Sequence, residues 1–300
     1  MITQKSSFIT CTPLIEMNYH NCTLGFKMEQ ENFLGSIKSR TAYYLIQDIL
    51  NNHNDNKPLK ICESTSGNLG LALNHLSLAE GIECLCLIDP SISQNKLQKL
   101  QSHGVNYEIV TAEDPAKYRQ ARINRAMDLN SNGYIWTNQY DNPASIKAHY
   151  ETTGPEIYHQ TYGKVTHLIC AMGTGGTIIG VGRYLHEQNP NIKIIGVEPW
   201  GSTIFSAHDG NYLCAGAGMK GKPGNIAHNP DVIDDHYAVQ DSESIKCCNY
   251  LYKNKGLSVG ITSGMAFSIA QAIAQTNPGS YIVVICPDGR NSYEEFFNTL

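Results

Sequence analysis

The chain has 300 residues, 41% of them hydrophobic and only 16% charged, against roughly 25% charged in an average soluble domain. That excludes disorder and calls for a large core, organised as one large or two ordinary domains. With 22 Lys and Arg against 27 Asp and Glu, the net charge is -5, the opposite of the footprint that phosphate-backbone binding requires, so no nucleic acid is expected as a partner.

Short apolar runs alternate with helical spacing along nearly the whole chain, the pattern of βαβ units and a parallel sheet. The spacing predicts strands at Leu24 to Met28, Leu59 to Glu63, Cys84 to Ile88, Tyr107 to Val110, Tyr134 to Thr137, His167 to Met172, Lys193 to Val197 and Tyr281 to Cys286. Helices are predicted at Lys38 to Leu50, Leu69 to Ala79, Leu97 to Ser102, Tyr118 to Leu129, Ile146 to His159, Ile178 to Glu187, Ile245 to Lys253 and Met265 to Ala274, where apolar residues recur at helical period. Trp200 to Val239 breaks the rhythm and reads as one long irregular loop, dense in Gly, Pro, His and Asn. Loops of that length in a domain are usually functional.

The ten cysteines are scattered, several within strand runs such as Cys84, Cys86, Cys170 and Cys286, where a thiol behaves as a small buried hydrophobe. None forms a Cys-x-x-Cys pair, and no zinc spacing joins them to the eleven histidines, so no metal site is expected. The segment Met1 to Ser7 has no apolar stretch, and no run approaches about 18 apolar residues. No membrane span or signal peptide is therefore expected, and a cytoplasmic, reducing location is.

Three polar loops each follow or precede the right elements for chemistry. Glu63-Ser64-Thr65-Ser66-Gly67-Asn68-Leu69-Gly70 leaves a strand and opens a helix, where hydroxyls, an amide and free N–H groups suit a carboxylate or a phosphate. An N-cap alone would need one Ser or Asn, and here four small polar residues stand together. Gly173-Thr174-Gly175-Gly176-Thr177 does the same after His167 to Met172, forming a phosphate cradle from backbone N–H groups and a helix N-terminus. It lacks the Gly-Lys-Ser/Thr of a P-loop, and Ile178 stands where a dinucleotide motif needs its third glycine. Glu198 at the end of the next strand keeps a nicotinamide dehydrogenase reading open. Gly260-Ile261-Thr262-Ser263-Gly264 is the third loop; alone it says little.

In this order, with Ser36-Ile37-Lys38-Ser39-Arg40 upstream, the loops resemble those of the cysteine synthase family of pyridoxal 5'-phosphate (PLP) enzymes, in the tryptophan synthase β-like superfamily, fold type II. The resemblance runs from Thr12-Pro13-Leu14 to Cys286-Pro287-Asp288-Gly289, through Asn138 to Pro143, Thr152 to Ile157 and Gly196 to Pro199. It implies an α/β fold of two domains, each a twisted, mostly parallel sheet flanked by helices, with PLP in the cleft between them. The smaller domain would span 35–139, and the larger 1–34 with 140–300.

The resemblance also assigns roles. Lys38 would carry PLP and act as the base; Gly173, Thr174, Gly175, Gly176 and Thr177 would hold its phosphate, Asn68 its ring hydroxyl and Ser263 its pyridine nitrogen. A neutral hydroxyl at that nitrogen favours β-elimination over transamination. Thr65, Ser66, Gly67, Asn68 and Gln139 would grip the substrate carboxylate. The implied reaction is β-replacement on an O-activated L-serine, O-acetylserine or O-phosphoserine, through an α-aminoacrylate. The acceptor would be sulfide or, by partial resemblance to the N-(2-amino-2-carboxyethyl)-L-glutamate synthases at Glu63 to Gly70, Ile88 to Ser93 and Gly201 to Phe205, an amino acid such as L-glutamate. Departures are Asn32-Phe33, where the family usually has Asn-Pro, and Trp200 after Glu198-Pro199. A bulky acceptor needs room, and the Trp200 to Val239 stretch is the place expected to supply it. The family further implies a homodimer and docking of a serine acetyltransferase-type partner; a catalytically silent PLP-binding protein is the alternative from another class.

Overall fold

The computed structural model describes residues 8–53, 58–65, 67–114, 117–214 and 216–297. The apolar runs assemble into two separate sheets. Four parallel strands form the smaller one: β3 (Lys60–Ser64), β4 (Glu83–Ile88), β5 (Tyr107–Ile109) and β6 (Ile135–Trp136), in the order β5-β4-β3-β6. Six strands form the larger one: β1 (Leu14–Tyr19), β2 (Cys22–Met28), β7 (His167–Ala171), β8 (Lys193–Pro199), β9 (Asp235–Val239) and β10 (Tyr281–Cys286), ordered β1-β2-β10-β7-β8-β9. Only β1 runs antiparallel, in a hairpin with β2; its neighbours from β2 to β9 are parallel. Each of the six residues of β10 is buried, as expected for a central parallel strand covered on both faces.

Both strands that the sequence reading did not anticipate, β1 and β9, lie at the edges of the larger sheet. Their patterns are half-exposed, with Asp235, His236 and Tyr237 open to solvent, so they lack the apolar run that marks an interior strand. Thus the supposed irregular stretch holds an edge strand and one helical turn, α8 (Gly224–Ala227).

Among the helices that build the site, α1 (Lys38–Asn52) follows two 3-10 turns after β2, while α2 (Asn68–Ala79) opens after β3 and α7 (Gly176–Gln188) after β7. Two more, α3 (Gln94–Ser102) and α4 (Tyr118–Ser131), flank the smaller sheet, and α9 (Asp241–Lys255) and α10 (Ile261–Thr276) precede β10. The helix expected at Ile146 to His159 is interrupted. Instead α5 (Pro143–Ala148), a π-helical turn at His149–Thr153 and α6 (Gly154–Gln160) follow one another. The reason is close packing, because a Cβ on Gly180 of α7 would stand 2.3 Å from the Ile146 carbonyl oxygen and 2.8 Å from the His149 Cβ.

A buried ionic cluster fixes the start of α1. Arg40 is fully buried, and it donates from Nε to Glu29 Oε2 at 2.7 Å and from Nη1 to Glu156 Oε1 at 2.6 Å. Lys27 Nζ reaches the same Glu156 at 2.6 Å and the Thr12 carbonyl at 2.7 Å. Buried charges persist only when paired and hydrogen-bonded, so this cluster ties β2, α1 and α6 together two residues beyond Lys38.

Candidate active site

The carboxyl ends of both sheets converge on one cavity. Its walls come from Thr65 and Asn68 after β3, Gln139 after β6, Gly173 to Gly175 after β7, and Pro287 and Asp288 after β10, with Lys38 between them. Ligands in open α/β sheets sit at this edge because the strand-to-helix turns and helix N-termini gather there.

Lys38 is the first residue of α1. Its backbone is held from below, since Ile37 N–H donates to the Pro287 carbonyl at 2.8 Å and Ser36 pairs with Asp288 in an isolated bridge. The ammonium donates to Gln139 Oε1 at 3.4 Å. Burial lowers its pKa from 10.5 to about 8, against the opposing pull of the Glu63 carboxylate and Cys170. Desolvation, the largest cause, disfavours the charged form of a lysine.

Glu63 is the group that sequence reasoning passed over here. It ends β3 fully buried and accepts from the Thr137 hydroxyl, from the Gln139 backbone at 3.2 Å and from Gln139 Nε2 at 3.3 Å. Burial raises its pKa to about 7, with those hydrogen bonds and Lys38 acting the other way. A carboxylate at the end of an apolar strand was the available signal. Its effect is to turn the Gln139 carbonyl oxygen toward Lys38.

The glycine loop is shaped by packing. Gly175 has φ +87°, and a Cβ there would meet Ile226 Cγ1 at 2.5 Å. Such a left-handed backbone is free of strain only for glycine. Gly176 does not line the cavity; it starts α7 against Ser145, 3.0 Å from where its Cβ would be. Asn225 braces the loop from α8, donating to both the Gln139 and the Thr174 carbonyls at 2.9 Å. Below, buried His149 lies 3.3 Å from the Thr177 hydroxyl and 3.3 Å from that of Thr41, and burial holds its pKa well below 6.5, so it is neutral.

The other loop is held by side chains. Thr65 Oγ1 accepts from the Gly67 and Gly70 backbone N–H groups at 3.0 and 3.2 Å, capping α2. Asn68 donates across the cavity to Asp288 Oδ2 at 2.9 Å, and the Tyr293 hydroxyl donates to the same oxygen at 2.9 Å. Asp288, quoted in the sequence only as the end of a motif, is thus the hub that joins Ser36, Asn68 and, through its carbonyl at 3.0 Å, Gly260. Gly67 stands behind the wall, and Ser66 lies outside the described residues.

In the third loop the structure selects the neighbour of the expected residue. Thr262 lines the cavity and Ser263 does not, although both are buried. They are consecutive on α10, which begins at Ile261, and helix phase turns one hydroxyl to the cavity and the other toward Cys286, whose thiol Ser263 influences. Motif spacing alone does not supply this phase, so the structure brings Thr262 rather than the expected Ser263 to the cavity wall.

A scan against family models matches residues 5–288 to the pyridoxal-phosphate dependent enzymes. The chain is 35% identical over 296 residues to a cystathionine beta-synthase of Apis mellifera, covering 94% of this chain and 58% of that one. It is 31% identical over 302 residues to cysteine synthase 1 of Neurospora crassa, covering 95% and 80%. An O-acetylserine dependent cystathionine beta-synthase from Helicobacter pylori superposes with TM-score 0.90 at 29% identity, over 98% of each chain. This chain belongs to the pyridoxal-phosphate dependent enzymes and, within them, to the cysteine synthase-like group. It spans somewhat over half the length of the Apis mellifera relative.

The residues fit the cofactor. Thr262 Oγ1 and Ser263 Oγ are both buried hydroxyls without a hydrogen-bond partner among the described residues, and Thr262 is the one that lines the cavity, where a ring nitrogen could meet it. The glycine turn at Gly173 to Gly176 leaves backbone N–H groups of the first turn of α7 facing the same cavity, a ready phosphate site.

Proposed function

We propose that this chain catalyses β-replacement on an O-activated L-serine, O-acetylserine or O-phosphoserine, in the manner of a cysteine synthase, with sulfide or an amino acid as acceptor. The observation that carries the reading is Lys38, with its pKa lowered to about 8, set between a phosphate cradle and a carboxylate loop and directed by Gln139. When bound, PLP supplies the electron sink that lets a Cα–H and a Cβ–O bond break. The chain's own residues do the rest. Gly173, Thr174, Gly175 and Thr177, with Gly176 behind them, receive the phosphate; Asn68, fixed by Asp288, meets the ring hydroxyl; Thr262 replaces Ser263 as the neutral donor to the ring nitrogen. Thr65, Gln139 and Ser66, with Gly67 behind the wall, receive the substrate carboxylate. Lys38 holds the cofactor and moves the α-proton, a task suited to an amine whose pKa lies near the working pH.

The smaller domain would comprise residues 35–139, built on the four-stranded sheet, and the larger 1–34 with 140–300. Retention of Lys38 and of both anion loops favours turnover over a silent PLP-binding protein. All ten cysteines are free thiols, which supports a reducing, cytoplasmic setting. The family resemblance supports a homodimer and a serine acetyltransferase-type partner. The deciding experiment mixes the PLP-loaded enzyme with each serine ester in turn. One donor shifts the visible cofactor spectrum and releases acetate or phosphate; if neither does, the reading is wrong.

A further inference from the structure

Beside the cavity that holds Lys38 lies a second one of about 450 Å³. The two share a wall made of Thr65, Lys96 and Tyr293. A one-atom nucleophile such as sulfide has no use for that volume. The outer cavity is also charged against the sign of the chain: four basic side chains and one acid line it among the described residues, in a protein of net charge -5.

Two of those cations are committed to structure. Arg122 pairs with Asp89 at 2.8 Å and donates to the Thr65 carbonyl at 2.6 Å, bracing the carboxylate loop, while Lys220 pairs with Asp209. Lys96 and Arg119 are differently placed. Lys96 is only 7% exposed, lines both cavities, packs its stem against Gly67 and lays its ammonium over the Tyr293 ring at 4.8 Å. Arg119 is half-buried on α4 and donates to the Tyr212 hydroxyl. The Lys96 ammonium lies over the Tyr293 ring face and has the Asp288 carboxylate of the inner cavity as its acidic neighbour, whereas the Arg119 guanidinium rests on a phenol. Arg119 gains from a carboxylate through two parallel hydrogen bonds. The rest of the wall includes Asn211, Tyr212 and Leu213 from the loop after β8, with Tyr118 and Phe296, amphipathic surface of the kind that binds a small amino acid.

We infer that the outer cavity is the acceptor subsite, and that it takes an amino acid whose carboxylate is held by Arg119 while its thiol or amine faces the wall shared with the inner cavity. The inference rests on the β-replacement reading and names its second substrate. In the reaction the Cβ–O bond of the serine ester breaks, with the electron pair leaving on oxygen. A Cβ–S or Cβ–N bond forms, and the proton of the acceptor S–H or N–H ends on the released acid or solvent. No net oxidation or reduction occurs.

The test uses the PLP-loaded enzyme with the serine ester it consumes, and offers sulfide, L-homocysteine and L-glutamate separately and in equimolar competition, with products identified by mass spectrometry. At least one of the two amino acids is incorporated; a thioether product identifies the thiol class and a secondary amine the amine class. In Arg119→Gln the KM for that acceptor rises at least tenfold while the KM for the serine ester changes less than twofold, and Arg119→Lys recovers part of the loss. Calorimetric binding of the acceptor to the loaded enzyme without donor weakens in parallel, and an unchanged visible cofactor band shows that the variant is folded. If only sulfide is incorporated, or Arg119→Gln alters sulfide and amino-acid use equally, the subsite assignment is overturned while β-replacement stands. If no acceptor consumes either serine ester, both fall together.

Discussion

The two anion loops of this protein occupy equivalent positions and are built in opposite ways. Each follows a parallel strand and opens a helix. The glycine loop after β7 presents backbone and is wedged by Gly175 against Ile226 and by Gly176 against Ser145. Its companion after β3 is tied mainly by polar contacts, one threonine hydroxyl, Arg122 and the Asn68 to Asp288 hydrogen bond across the cavity, with Gly70 packed against Cys86 only where the helix begins. Packing leaves the first loop a single conformation, suited to a resident cofactor. A few polar contacts leave the second able to adjust, as a loop that admits and releases a substrate must.

Lys38 stands between the loops and tests both at once. Lys38→Ala removes the visible cofactor band and lowers turnover by about 10²- to 10⁴-fold, the range typical of a lost general base; a variant that retains the band and the rate would remove Lys38 from the site. The loops are separated by a matched pair of substitutions. Gly175→Ala introduces strain of about 1–3 kcal/mol, from a positive φ and from the Ile226 contact at 2.5 Å, so the variant loses cofactor on gel filtration. Gly67→Ala, at φ +129° but with only the flexible Lys96 Cδ at 3.3 Å, keeps the cofactor and raises the KM for the serine ester. Equal cofactor loss in the two variants would erase the contrast between rigid and adjustable loops.

A pH series sharpens the electrostatics between them. The neutral amine is the form that combines with the cofactor aldehyde, and burial shifts Lys38 down to about 8. Lowering the pKa of a cationic group means the proton is lost at lower pH. Cofactor capture by the cofactor-free protein therefore accelerates about tenfold per pH unit below 8 and levels off above it; acceleration that continues to pH 10 would show an ordinary lysine. The smallest effect is in hydrogen exchange. The product amino acid, once bound, protects Gly67 to Leu71 more than Gly175 to Ile179, because the former segment has more local motion to lose. Equal changes in both segments would contradict it.

Low charge and buried apolar runs identified the interior strands, β3, β4, β7, β8 and β10, because a strand covered on both faces must be apolar throughout. The two edge strands β1 and β9 escaped, since half of each faces water. The loops that carry Thr65 and Gly173 were legible because glycines and small polar residues at strand ends have few other uses, whereas Lys38 and Gln139 stood out only through the family resemblance. Which of Thr262 and Ser263 faces the cavity was settled by the phase of α10, and the π-helical turn beneath Thr177 by the contact between α7 and α5. The outer cavity is the clearest case of what only the tertiary structure decided. Lys96, Arg119, Tyr212 and Tyr293 lie on four separate stretches of chain, none with a motif of its own. Their charges and rings acquire a common purpose only when two sheets bring them to one wall.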